Sequence, residues 1–300
     1  MSTRAAGLLF CLTLAFLPRL EAQLSGLNEV EFSDLSQRDP NPLGEQALAI
    51  HSEEWKHAET DHFIYHFVHG YVATPISVEA EFYYRVIVKE LERDPPTGDT
   101  KSHIYIFERP EDWRTFQGLG RLEPWTGGIH SQGSLFIQRD PRQRFADNSL
   151  GHEIAHLIMH RYYPDAIPRW LDEGFAEYIS RNAHASYQRA RGYISKPRSQ
   201  LILTDELISL GALATMDYPA DEKKVATFYR ESERLVRFLA ATDKASFLGL
   251  LDALGRHQPF ERAVLSYYSG KFANLAALES AFREYAANEY ARGGATAGQE

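Results

Sequence analysis

The chain has 300 residues, 44% of them hydrophobic and 24% charged, the balance of a folded globular protein long enough for one large domain or two small ones. Its 41 acidic against 32 basic residues give a net charge of -9, which argues against nucleic acid or an anionic membrane as partner. Cys11 is the one cysteine, so no cluster of thiolates can hold a metal and any metal must be bound by histidine and carboxylate.

Residues 1–22 carry Arg4, an apolar run from Ala5 to Leu17, a break at Pro18 and then Leu20-Glu21-Ala22. This pattern predicts a secretory signal peptide cut after Ala22. The run is shorter than the ~20 apolar residues of a membrane anchor. Cleavage removes Arg4, Cys11, Arg19 and Glu21, so the mature chain is thiol-free and one charge more acidic. The expectation is an exported protein, periplasmic or extracellular, with no membrane span after cleavage.

Residues 23–55 are rich in Asn, Asp, Pro and Gly and read as an extended or loosely helical lead-in. The segment 62–68, HFIYHFV, alternates with a period of two and predicts a strand, and 77–92 has helical spacing. HIYIF at 103–107 predicts the next strand, a short helix follows near Glu111 to Gln117, and 125–138 reads as a hairpin turning at His130 to Gly133. Beyond Pro141 helices are predicted at about 145–161, 168–181, 183–192, 222–242, 244–255, 259–267 and 273–291. The small polar residues 292–300 read as a disordered tail. Strands followed by helices indicate an α+β fold, with an α+β region over 56–182 and a helical region over 183–291.

Five histidines, His51, His57, His62, His66 and His69, lie close together near the first predicted strand. Only His62 and His66 share a strand face and no carboxylate has ligand spacing with them. A partly exposed surface strand therefore explains them better than a second metal.

The chemistry concentrates in GHEIAHLIMHRYYPDAIPRWLDEGFAEYIS, residues 151–180. On a helix, residues four apart lie about 40° apart, so His152 and His156 project from one face and can share an ion; this is the H-E-x-x-H arrangement. Leu150, Ile154, Leu157 and Ile158 form the apolar stripe that anchors that helix. Glu153, beside the first histidine, is the expected general base. A catalytic zinc takes three protein ligands and keeps a fourth position open, so one more ligand must come from elsewhere. Pro168 is suited to start a second helix carrying Glu173 and Glu177 one turn apart. Gly174 within it points to a close approach of that helix to the first.

Here the chain resembles the gluzincin metallopeptidases, whose third ligand is a glutamate on a following helix in a motif like Trp-Leu-Asn-Glu-Gly-Phe-Ala. The matching residues are Trp170-Leu171-Asp172-Glu173-Gly174-Phe175-Ala176, with Asp172 where many members have Asn. The short separation of His156 and Glu173 brings it closest to the small bacterial peptidase-MA-like families. The resemblance implies a thermolysin-like or minigluzincin-like fold, a small mixed sheet over the H-E-x-x-H helix pair completed by C-terminal helices. It implies one zinc per chain on His152, His156 and Glu173, a peptide or protein substrate, and hydrolysis of peptide bonds by zinc-activated water. It also implies that Glu177 accepts a proton from the far nitrogen of a ligand histidine, that Tyr229 donates to the oxyanion, and that Gly127-Gly128 and the arm Ser134 to Gln138 supply an edge strand that pairs with substrate.

His130 and Trp125 are further candidates to line the cleft, and His160 to stand behind the ligands. Two alternatives stay open: a non-catalytic exported binding or assembly protein on this scaffold, and a hydrolase of a non-peptide amide such as a cell-wall linkage. Oligomeric state is not readable.

Overall fold

The computed structural model describes residues 27–93, 100–123, 126–139, 149–164, 167–193, 208–217, 219 and 222–297. The predicted leader, Trp125 and residues 298–300 lie outside the described residues. The six strands are β1 (Glu29–Val30), β2 (Lys56–Glu59), β3 (Phe63–Phe67), β4 (Ser102–Phe107), β5 (Gly128–Ser131) and β6 (Ser134–Gln138), and they form one mixed sheet in the order β1-β2-β3-β4-β6-β5. β3, β4 and β6 run parallel; β1, β2 and β5 are antiparallel to their neighbours. The fold is therefore α+β.

The two faces of the sheet carry different chemistry. Phe63, Tyr65, Phe67, Ile104, Ile106, Leu135 and Ile137 join the main core. That core is closed by α2 (Gly70–Glu90), α4 (Ser149–Tyr162) and α5 (Arg169–Ala190), and beyond them by α6 (Leu210–Thr215), α7 (Glu222–Thr242), α8 (Lys244–Gly255), α9 (Phe260–Tyr268) and α10 (Leu275–Ala297). The opposite face, with Tyr105, Phe107 and Phe136, packs against α1 (Pro42–Leu48) and α3 (Pro110–Gly120) through Ala47, Trp113 and Phe116. Among the described residues no helix is long and apolar enough to cross a membrane.

Several expectations are corrected. The stretch expected as a loose lead-in builds a layer from Leu27 on, because its polar residues are hydrogen-bonding partners. Asp39 accepts from the Tyr105 hydroxyl at 2.8 Å and from Ser134 Oγ at 2.7 Å, and Asn41 caps α1 while donating to the Ser131 carbonyl at 2.7 Å. β3 is buried along its whole length rather than lying on the surface, since helices cover one face and the 27–48 layer the other. α2 starts at Gly70, ahead of the predicted 77, and accommodates Pro75 at the cost of one backbone donor. The helices predicted at 168–181 and 183–192 are one, α5, because nothing at Arg181-Asn182 breaks it and Ala183 is still buried. α10 continues through Gly293-Gly294 to Ala297, where a tail was expected; alanines on both sides favour helix. α6, capped by Ser209, was not foreseen.

Gly174 faces α7 and not α4: a Cβ there would stand 2.5 Å from the Ser232 carbonyl oxygen. The close approach of α4 is instead made at Gly151, where a Cβ would meet the Tyr83 ring at 3.3 Å and Ser180 Cβ at 3.4 Å. α4 and α5 are thus pressed between α2 and α7, which fixes the relative position of the two helices that carry the candidate ligands.

Candidate metal centre

His152 and His156, one turn apart on α4, turn their rings edge to face with centroids 4.7 Å apart, and their Nε2 atoms come to 3.0 Å. Glu173, on the second turn of α5, brings Oε2 to 3.4 Å from both Nε2 atoms. A tetrahedral zinc with bonds of about 2.0–2.1 Å holds its ligand atoms about 3.3 Å apart. The triangle found here has that size, and His152, His156 and Glu173 together can hold a metal ion. Glu173 Oε2 is buried and makes no hydrogen bond. A buried acceptor facing two imidazole nitrogens is costly unless a cation lies between them, so the residues present fit such an ion.

The surroundings set the protonation of each group. His156 Nδ1 lies 2.8 Å from Asp172 Oδ1. A carboxylate only accepts, so Nδ1 carries the proton and Nε2 presents its lone pair to the centre. Burial by itself lowers the His156 pKa, but Asp172 and then Glu173 outweigh it, and the metal-free imidazole is held well above its ordinary value. Burial would raise both carboxylates. The charge and hydrogen bond of His156 instead hold Asp172 far below the usual range, and the 3.4 Å contacts with His152 and His156 bring Glu173 down to about 2. Asp172 also lies in the first turn of α5, where the helix dipole favours an anion. A metal ion would take the place of the proton that this acidic lining draws onto the His156 imidazole.

Glu153, next to His152 on α4, is 8% exposed and lies against β5: a Cβ on Gly128 would lie 3.3 Å from its Cγ. Burial raises its pKa against the charges of His152 and His156 and the backbone N–H of His130, which favour the ionised form. It is therefore a better base than an ordinary glutamate.

Glu177 stands where expected, one turn beyond Glu173, with Oε1 3.4 Å from His152 Nδ1. That is longer than a good hydrogen bond, His152 Nδ1 makes none, and Glu177 Oε2 pairs with Arg181 at 3.1 Å. The short carboxylate contact behind a ligand belongs to Asp172, whose part the sequence reading missed. The signal was present: the second histidine also needs a proton acceptor, and the residue before Glu173 is acidic. Tyr229, partly buried on α7, has its ring 6.4 Å from that of His152. His160 reaches Asp172 Oδ2 at 3.2 Å and stacks edge to face on His130 of β5 at 5.0 Å.

β5 and β6 are joined by a two-residue turn at Gln132-Gly133, with φ of 46° and 85°, so His130 and Ser131 belong to the strand rather than the turn. Among the described residues the edge of the sheet beside α4 is β5, which begins at Gly128, and not the 134–138 arm, which is covered on both sides by β4 and β5. Of the histidines near the first predicted strand, His62 pairs with Glu81 and His69 with Glu108, each at 2.7 Å, while His66 belongs to a buried chain of imidazoles. His62 and His66 belong to none of the possible metal groups among the described residues.

A scan against models of known protein families finds no match, and a search of curated proteins finds none similar.

Proposed function

We propose that the protein is an exported zinc-dependent metallopeptidase with a gluzincin-like centre, His152, His156 and Glu173 binding one zinc ion per chain. The observation that carries this reading is the convergence of two Nε2 atoms and one carboxylate oxygen within 3.0–3.4 Å, with a buried glutamate beside them. A zinc ion held there would polarise a carbonyl and acidify water.

The chain's own residues would do the rest. Asp172 keeps His156 in the tautomer with its lone pair on Nε2. Glu153, made more basic by burial, takes a proton from the attacking water and delivers it to the leaving amine. Tyr229, beside His152, is the candidate donor to the developing oxyanion. β5 presents a strand edge next to Glu153, and because Ser131 and Ser134 close the hairpin, the polar backbone groups of Gly128 and His130 turn outward. An extended peptide can add to such an edge.

The test compares the wild-type chain with Glu153→Gln. Both should hold one zinc, and cleavage of a peptide library should fall by about 10²–10⁴-fold in the variant. A wild type that binds zinc but cleaves no peptide would favour a binding role or a non-peptide amide substrate.

A further inference from the structure

His160 is the one histidine on the ligand face of α4 to which the proposed chemistry gives no task. It lies one turn beyond His156, and its side chain is 44% exposed, so the core does not depend on it. Its Nε2 nevertheless stands 3.2 Å from Asp172 Oδ2, while the other oxygen of that carboxylate receives His156 Nδ1 at 2.8 Å. One carboxylate from the first turn of α5 is thus gripped by two imidazoles from successive turns of α4.

A carboxyl group turns about its last torsion in a broad well, so a single hydrogen bond leaves its plane loosely set. A second donor on the other oxygen fixes the plane. The His130 ring on β5, edge to face against His160 at 5.0 Å, restricts the donor in turn. The series His130, His160, Asp172, His156 links the strand edge to the ligand atoms.

We infer that His160 is a positioning residue: by holding Asp172 in plane it sets the orientation of His156 and thereby the affinity of the centre for zinc. This rests on the reading of His152, His156 and Glu173 as the metal centre. Partners that stand behind ligands typically change metal affinity by 10–100-fold, and His160 acts one step further back, so the lower end applies.

The test measures zinc affinity by competition with a chromophoric chelator, for the full chain and for His160→Ala, His160→Gln, Asp172→Ala and the His160→Ala/Asp172→Ala double variant. The thermal midpoint of each metal-free protein is recorded alongside. His160→Ala should bind zinc about tenfold more weakly with its metal-free midpoint unchanged. His160→Gln, whose amide nitrogen can occupy the place of Nε2, should recover most of the loss. The double variant should be no weaker than Asp172→Ala, because the effect passes through that carboxylate. Wild-type affinity in His160→Ala, no recovery in His160→Gln, or additive losses in the double variant would overturn the assignment while leaving the zinc centre standing. A wild type that does not bind zinc would overturn both.

Discussion

The protein holds two groups of histidines on opposite faces of its sheet, and their surroundings differ in one respect. At the candidate metal centre, carboxylates stand within 3.4 Å of the imidazoles: Asp172 and Glu173 at His156, Glu173 and Glu177 at His152. On the far face, His57 Nδ1 meets His66 Nδ1 at 2.8 Å, and His66 Nε2 meets His103 Nδ1 at 2.8 Å, forming a chain across β2, β3 and β4. Tyr105 stacks on His66 at 4.3 Å and Phe32 tilts over His57 at 5.0 Å. Among the described residues no carboxylate hydrogen-bonds to any of the three.

The consequence is an opposite shift for His156 and for the far-face chain. Burial, then the charges of Arg38 and His103, lowers His57 to about 4, and burial with the charges of His103, His57 and Arg38 holds His66 well below its ordinary value. His103 is lowered too, mainly by burial. Each link of the chain needs one shared proton, which neutral imidazoles supply by donating in sequence. Buried histidine alone therefore says little about metal binding. What matters is whether lone pairs converge and whether acids stand behind them.

Exchanging one residue from each group separates the two roles most sharply. His156→Ala should lose the zinc and leave the fold standing. His66→Ala should keep the zinc and lose about 3 kcal/mol in a denaturant titration, since it leaves buried nitrogens of His57 and His103 unpaired.

Acid separates the groups next. For His57 the folded pKa lies below the unfolded value of 6.5, so the unfolded chain binds more protons between that value and about 4. In the metal-free protein the contribution of His57 is complete above pH 6.5 and falls as the pH drops towards 4, by on the order of 3 kcal/mol. Glu173 and Asp172 have lowered pKa values, so their contributions fade only below about 4.5 and 3.8. His156, raised when folded, contributes its stability below pH 6.5 and loses it as the pH rises through its folded pKa. Urea midpoints that stay level from pH 7 to 4.5 would remove the claim that the far-face chain is neutral.

The smallest effect grades the acids at the centre. Asp172→Asn, at 2.8 Å, should weaken zinc binding by about tenfold, and Glu177→Gln, at 3.4 Å, by about threefold. A larger loss from Glu177→Gln would reverse the order given by the distances.

Much of the site was legible in sequence because helical periodicity is local. His152, Glu153 and His156 lie on one helix, whereas Glu173 was named by the resemblance of residues 170–176 to a family motif. Asp172, next to Glu173, was legible from the need of His156 for a proton acceptor but looked like a departure from a motif; the structure places it 2.8 Å from His156 Nδ1. The partners that come from distant elements were not legible. Gly174 was read as a close approach to α4, whereas the helix it meets is α7, which sequence spacing could not identify. The strand 62–68 alternated as a surface strand would, because His66 is as buried as Phe63 by packing against residues far away in the chain. The 27–48 layer failed for the same reason: Asp39 and Asn41 are polar residues satisfied by Tyr105, Ser134 and Ser131.

The central claim is the identity of the three ligands, and a zinc absorption-edge spectrum of the purified chain, with metal counted per chain, tests it most directly. The account predicts one zinc per chain bound by two imidazole nitrogens and a carboxylate oxygen, with that spectrum lost in His156→Ala and kept in His66→Ala. A chain that takes up no zinc, or whose zinc spectrum survives unchanged in His156→Ala, would contradict it.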